Sequence, residues 1–84
     1  MPNAHELTMV VREGCHLCDD MRDALHAFRD ELHLTWRELD VDSDAELHAQ
    51  FSELVPVLLI GDREVCHYFF DLVALRRALA AEGS

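Results

Sequence analysis

Leu7-Thr8-Met9-Val10-Val11-Arg12-Glu13-Gly14-Cys15-His16-Leu17-Cys18-Asp19-Asp20-Met21 changes pattern part-way, and that change decides the fold. Leu7 to Val11 is a short apolar run with β-branched residues, closed by Arg12, Glu13 and Gly14, which predicts a buried strand and then a turn. From Cys15 onward Leu17, Met21, Ala24, Leu25, Phe28 and Leu32 recur at spacings of three and four. Asp19, Asp20, Arg22, Asp23, Arg29 and Asp30 fill the opposite side, so an amphipathic helix is expected. Asp19 and Asp20 fall near its start, where the helix dipole favours anions. A strand that runs through a tight turn into a helix opens a βαβ unit.

The rest of the chain continues that alternation. Leu34 to Val41, with Trp36, Leu39 and Val41 among polar residues, predicts a partly exposed second strand. Ser43 and Glu46 form an S-x-x-E capping box for a second helix of about two turns through Leu47 and Phe51, which Pro56 is expected to stop. Val57, Leu58, Leu59 and Ile60 then predict a strand buried on both faces. Gly61 and Asp62 supply a turn, and Val65 to Tyr68 return as a hairpin. Leu72, Leu75, Ala78 and Leu79 mark a last helix capped by Asp71. The order is βαβαββα. Strands joined through a helix run parallel with a right-handed crossover, and strands joined by a tight turn run antiparallel. The expected α/β architecture is a four-stranded mixed sheet with helices on both faces, one domain over residues 1–84. Chemistry in such sheets sits at the carboxyl ends of the strands, where Cys15 and Cys18 fall.

Composition narrows the function. Eighty-four residues support one core. With 50% hydrophobic and 29% charged residues, disorder is excluded as the main state. Seventeen acidic residues face seven arginines and no lysine, for a net charge of −10. Phosphate-binding surfaces need a basic face, and only Arg76 and Arg77 are adjacent, so neither nucleic acid nor an anionic membrane is an expected partner. No apolar run approaches the roughly 20 residues of a spanning helix. Met1 to Thr8 lacks the layout of a secretion signal. A cytoplasmic monomer is expected. Three cysteines are too few for a disulfide scaffold and, in a reducing compartment, point to redox or metal chemistry.

Cys15 and Cys18 are three residues apart, on one face of a helix turn, so the second sulfur can reach the first. Cys15, at the helix start, meets unpaired backbone N–H groups that stabilise a thiolate and is the expected nucleophile. Cys18, deeper in, is the expected resolving thiol. Glu13, Asp19 and Asp20 oppose a nearby thiolate while the helix dipole and any charge on His16 favour it, which predicts a reducing or weakly coupled dithiol. Haem attachment is excluded, because Asp19 rather than histidine follows Cys18. A zinc or iron–sulfur site using Cys15, Cys18 and Cys66 or His16 stays open, although a second close ligand pair is missing. No metal is expected. Cys66 and His67 point to opposite faces of their strand, and Cys66 is expected to be structural.

The strand, the Cys15-His16-Leu17-Cys18 junction, the Val55–Pro56 step, the hairpin and the closing helix together resemble the glutaredoxins of the thioredoxin-like superfamily, from about Leu7 to Leu79. The segment Gly14–Asp19 is most similar to short glutaredoxin-like proteins carrying C-H-L-C-D. The resemblance implies a thiol–disulfide oxidoreductase acting on a disulfide-containing protein or a small-molecule thiol, with a part in electron transport and cell redox homeostasis. It implies a cis peptide at Pro56, with Val55 offering its amide or carbonyl to a substrate chain. Val55, Pro56, His16 and Arg12 are the expected substrate-binding residues, Arg12 through a glutathione carboxylate. The pattern departs from typical glutaredoxins where a glycine pair and an acidic residue hold glutathione, since His67-Tyr68-Phe69-Phe70 stands there. No bound cofactor is expected, and glutathione stays open as a co-substrate with a degraded binding motif. A thioredoxin-like binding module that docks partners at Pro56 and Tyr68–Phe70 is the alternative, but these aromatics are expected to be core.

Overall fold

All four residues Val57–Ile60 are buried, as befits a strand covered on both faces. The computed structural model describes residues 5–83. Residues 1–4, part of the stretch inspected for a secretion signal, and residue 84 of the expected domain lie outside the described residues. The elements are β1 (His5–Val11), α1 (His16–Leu32), β2 (Leu34–Asp40), a single 3-10 turn (Val41–Ser43), α2 (Ala45–Phe51), β3 (Val57–Ile60), β4 (Arg63–His67) and α3 (Leu72–Gly83). The sheet order is β2-β1-β3-β4. β1 runs parallel to β2 and antiparallel to β3, and β3 is antiparallel to β4. This is the expected βαβαββα mixed sheet.

Alternation along the strands divides the core in two. On one face Leu7, Met9, Leu58, Ile60 and Cys66 meet Cys18, Met21 and Leu25 of α1 and Leu75 and Leu79 of α3. On the other, Val10, Val57 and Leu59 meet Val41, with Phe51 and Leu54 from α2 and the turn after it. No described helix is long and apolar enough to cross a membrane.

Two local expectations, the cap and the stop of α2, are corrected. The cap of α2 is Asp44, whose Oδ1 accepts from the Glu46 N–H at 2.7 Å, whereas the Ser43 hydroxyl donates to the Asp40 carbonyl at 2.6 Å. Burying Val41 requires the 3-10 turn, which turns Ser43 back and leaves Asp44 as the extended residue ahead of α2. α2 ends at Phe51 and a turn closes from the Leu54 N–H to the Phe51 carbonyl, so Pro56 opens β3 rather than stopping the helix. In α1 it is Cys18, in step with Met21 and Leu25, that is fully buried, while Leu17 is half-buried. The β3–β4 hairpin shifts register between Leu58 and Leu59, with Cys66 opposite Leu58 and Glu64 opposite Leu59, so Val65 bulges.

Leu58 has no solvent exposure and packs between α1 and α3. Leu58→Ala is expected to cost about 2–5 kcal/mol, read as a lower urea midpoint at unchanged slope.

Candidate active site: two thiols at a strand-to-helix junction

Gly14 turns the chain out of β1 with φ +77°, a conformation L side chains rarely adopt. Cys15 follows in an extended conformation as the N-cap of α1. Its Sγ accepts from the Cys18 N–H at 3.1 Å, where a serine or aspartate oxygen normally caps a helix. Cys15 is partly exposed and Cys18, one turn on, is 1% exposed. Both are free thiols. Burial pushes the Cys18 thiol up to about 12, helped by its hydrogen bond to the Cys15 sulfur, while the Arg12 backbone pulls the other way. Cys18 therefore keeps its proton at neutral pH, held against the sulfur of Cys15. Cys66 is also buried in this core, and burial pushes its thiol up as well.

Strand register delivers the second wall. Val10 opposite Val57 carries Val55 and Pro56 alongside Val11 and Arg12, and Val57 opposite His67 carries Tyr68 alongside Pro56. The Val55–Pro56 peptide is cis. Pro56 is buried and its carbonyl accepts from the Tyr68 N–H at 2.9 Å. Val55 packs against both cores, while its backbone N–H and C=O have no hydrogen-bond partner among the described residues.

Tyr68 holds this loop from outside. Its hydroxyl donates to the Glu53 carbonyl at 2.8 Å, and its backbone has φ +63°, which for an aromatic residue costs about 1–3 kcal/mol. The expectation that Tyr68, Phe69 and Phe70 are core is corrected for two of the three. Tyr68 is 39% exposed and Phe69 is 68% exposed. The left-handed residue and a tight Phe69 N–H to His67 carbonyl turn swing both rings outward. Phe70 alone turns inward, stacked on Phe28 at 5.8 Å.

Arg12 reaches the site but is occupied. Its guanidinium spans both Asp42 oxygens at 3.2 and 3.4 Å and the Ser52 carbonyl at 3.0 Å, and Asp42 pushes its pKa up. Arg22 donates to Asp19 and to Glu38, each at 2.8 Å, and holds the Glu38 carboxyl below its ordinary value. The His16 side chain is exposed and has no hydrogen bond or ion pair among the described residues. Among the described residues no group of three His, Cys, Asp or Glu side chains is arranged to hold a metal ion. Asp42 and Ser52 lie 30 and 40 positions from Arg12, where no local pattern could point to them. Tyr68 had a signal, since it stands where the glutaredoxin pattern has glycine.

The sequence profile of the family described as glutaredoxin-like domain (DUF836) matches residues 6–80. The chain belongs to this glutaredoxin-like family. A solution structure of protein Ne2328 from Nitrosomonas europaea is 31% identical with a TM-score of 0.79, covering 87% of this chain and 88% of that one. The crystal structure of target protein XcR50 from X. campestris is 36% identical with a TM-score of 0.70, covering 89% and 96%. Thioredoxin 1 from Thermosipho africanus shares the fold at 16% identity, with a TM-score of 0.60 and coverage of 94% and 99%. No curated protein matches the chain. The glutaredoxin-like domain thus brings Cys15, Cys18, Arg12, Val55 and Pro56 to one end of its sheet, with His16 exposed beside the first thiol.

Tyr68→Phe is expected to cost about 1 kcal/mol through the lost bond to Glu53, measured by urea unfolding. The raised thiols set an alkaline limit. Above the unfolded cysteine value of about 8.5 the unfolded chain has released protons that folded Cys18 and Cys66 still hold, so stability falls with rising pH. The urea midpoint of the reduced protein is expected to drop as pH rises from about 8.5 toward about 12, and less steeply in Cys18→Ala. Equal slopes in the two proteins would contradict a buried, protonated Cys18.

Proposed function

We propose that this glutaredoxin-like domain is a thiol–disulfide oxidoreductase of a reducing, cytoplasmic compartment, where it contributes to redox homeostasis as a monomer without a bound cofactor. The observation that carries this is the capping geometry, with the Cys15 sulfur at the helix start receiving the Cys18 N–H at 3.1 Å. The Cys15 thiolate attacks one sulfur of a substrate disulfide. That S–S bond breaks, and the departing thiolate takes a proton from solvent. Cys18 then attacks the Cys15 sulfur and its proton passes through solvent to the departing sulfur, which releases the second substrate thiol and leaves a Cys15–Cys18 disulfide. Two electrons pass to the substrate, and an external dithiol returns them.

Val55 supports a peptide-shaped substrate, since its free N–H and C=O can pair with an extended chain. Pro56 fixes that backbone from within the core, and His16 lies exposed beside the nucleophile. The exposed Tyr68 and Phe69 rings favour the second reading, a module that docks partners without chemistry. Mutants separate the two. Cys15→Ser is expected to abolish disulfide exchange, and Cys18→Ser to accumulate a mixed disulfide at Cys15, both read by thiol trapping and mass spectrometry. In thiol/disulfide buffers the wild-type pair is expected to form one bond, Cys15–Cys18, with a potential between about −180 and −270 mV. An unpaired Cys15 across that range, or a bond to Cys66, would leave docking as the function.

A further inference from the structure

Segments 11–15, 40–44 and 52–56 meet at the end of the sheet that carries the dithiol, and their charged residues are Arg12 against Glu13, Asp40, Asp42, Asp44 and Glu53. The one cation of that set is bridged by both oxygens of Asp42 and capped by the Ser52 carbonyl. In the first turns of α1, Arg22 is held between Asp19 and Glu38, which leaves Asp20 exposed with no ion pair. Arg37 sits mid-strand opposite Thr8, and Arg77 lies on α3, whose Arg76 pairs with Glu31 in the last turn of α1. A substrate approaching Cys15 therefore meets an excess of carboxylates, with Arg12 and Arg22 already paired and His16 exposed beside the thiol.

We propose that the physiological disulfide lies in a polypeptide segment that is neutral or positively charged beside its cysteine, and that glutathione disulfide is selected against. The proposal rests on the oxidoreductase reading above and specifies its substrate. Oxidised glutathione carries more carboxylates than ammonium groups, and the two arginines on this side, Arg12 and Arg22, are already occupied by carboxylates. A basic segment meets the opposite situation. Its charges face Glu13, Asp20 and Glu53, all exposed, while its main chain can pair with Val55 and its neighbouring side chains can lie on the Tyr68 and Phe69 rings. Like charges beside a reacting group suppress encounter and opposite charges raise it by about ten- to a thousandfold at low salt.

The test oxidises the fully reduced protein with four disulfides: oxidised glutathione and three symmetric peptide dimers of equal length whose central cysteine is flanked by arginine, glutamine or glutamate. Rates of Cys15–Cys18 disulfide formation are followed by thiol trapping. The arginine dimer is expected to react at least about tenfold faster than the glutamate dimer and glutathione disulfide at low ionic strength, with the gap closing near 1 M salt. Asp42→Asn releases Arg12, and the ratio of glutamate-dimer to glutamine-dimer rates is expected to rise several-fold. Equal rates across the charge series, or an unchanged ratio in Asp42→Asn, would overturn this proposal while leaving the oxidoreductase intact. Failure of all four disulfides to oxidise the pair would overturn both.

Discussion

Four consecutive residues, Val57–Ile60, have to be dry on both sides at once, and the arrangement of the glutaredoxin-like domain follows from meeting that condition. Leu58 and Ile60 enter the layer under α1 and α3, while Val57 and Leu59 enter the layer with Val10, Val41 and α2. Because all four are apolar, hydrophobic pattern alone would tolerate a one-residue slip that exchanged the two faces. The ends of the strand prevent it. Pro56 lacks a backbone donor at one end, and Gly61, with φ +57°, makes the turn at the other. The resulting register sets Val55 and Pro56 beside β1 and Tyr68 beside Pro56.

The dithiol uses the same economy at the other side of the junction. A cysteine at the N-cap gives a weaker cap than serine or aspartate, whose oxygens are better acceptors. One side chain offsets that weakness. Arg22 ties the second turn of α1 to Glu38 on β2 and to Asp19 in the first turn. The helix start is thereby fixed by groups outside the cap, and the sulfur that occupies the cap stays partly exposed and available for reaction.

The parts of this architecture written in short-range pattern were legible. The strand-turn-helix run through Gly14, the doubly buried Val57–Ile60 and the Gly61 hairpin each signal through neighbours only a few positions apart. The motif also placed Cys15 and Cys18 in their two environments, one at the cap and one inside. What stayed hidden depends on distance or on local competition. Ser43 and Asp44 are adjacent candidate caps, and burial of Val41 decides between them. The bulge at Val65 comes from pairing with β3 and has no signature in β4 itself. Tyr68 and Phe69 were misplaced because their apolar composition predicts burial, whereas backbone conformation turns them out. Arg12 looked free in sequence because its partners arrive from the turn after β2 and the end of α2.

That last pairing separates two properties often supplied by one residue. A cation beside a nucleophilic cysteine both stabilises the thiolate and attracts anionic substrates. Here the Arg12 charge is cancelled locally by Asp42, and the groups facing the Cys15 sulfur are neutral donors, the Cys18 N–H and the Cys18 thiol. Such dipoles act over hydrogen-bond distance and fade beyond it, whereas net charge acts over about a Debye length. On the proposed oxidoreductase reading, reactivity is set at short range by the cap, and selection at longer range by the surrounding carboxylates. Changing one need not change the other, because Asp42 and Glu13 contribute no hydrogen bond to the Cys15 sulfur.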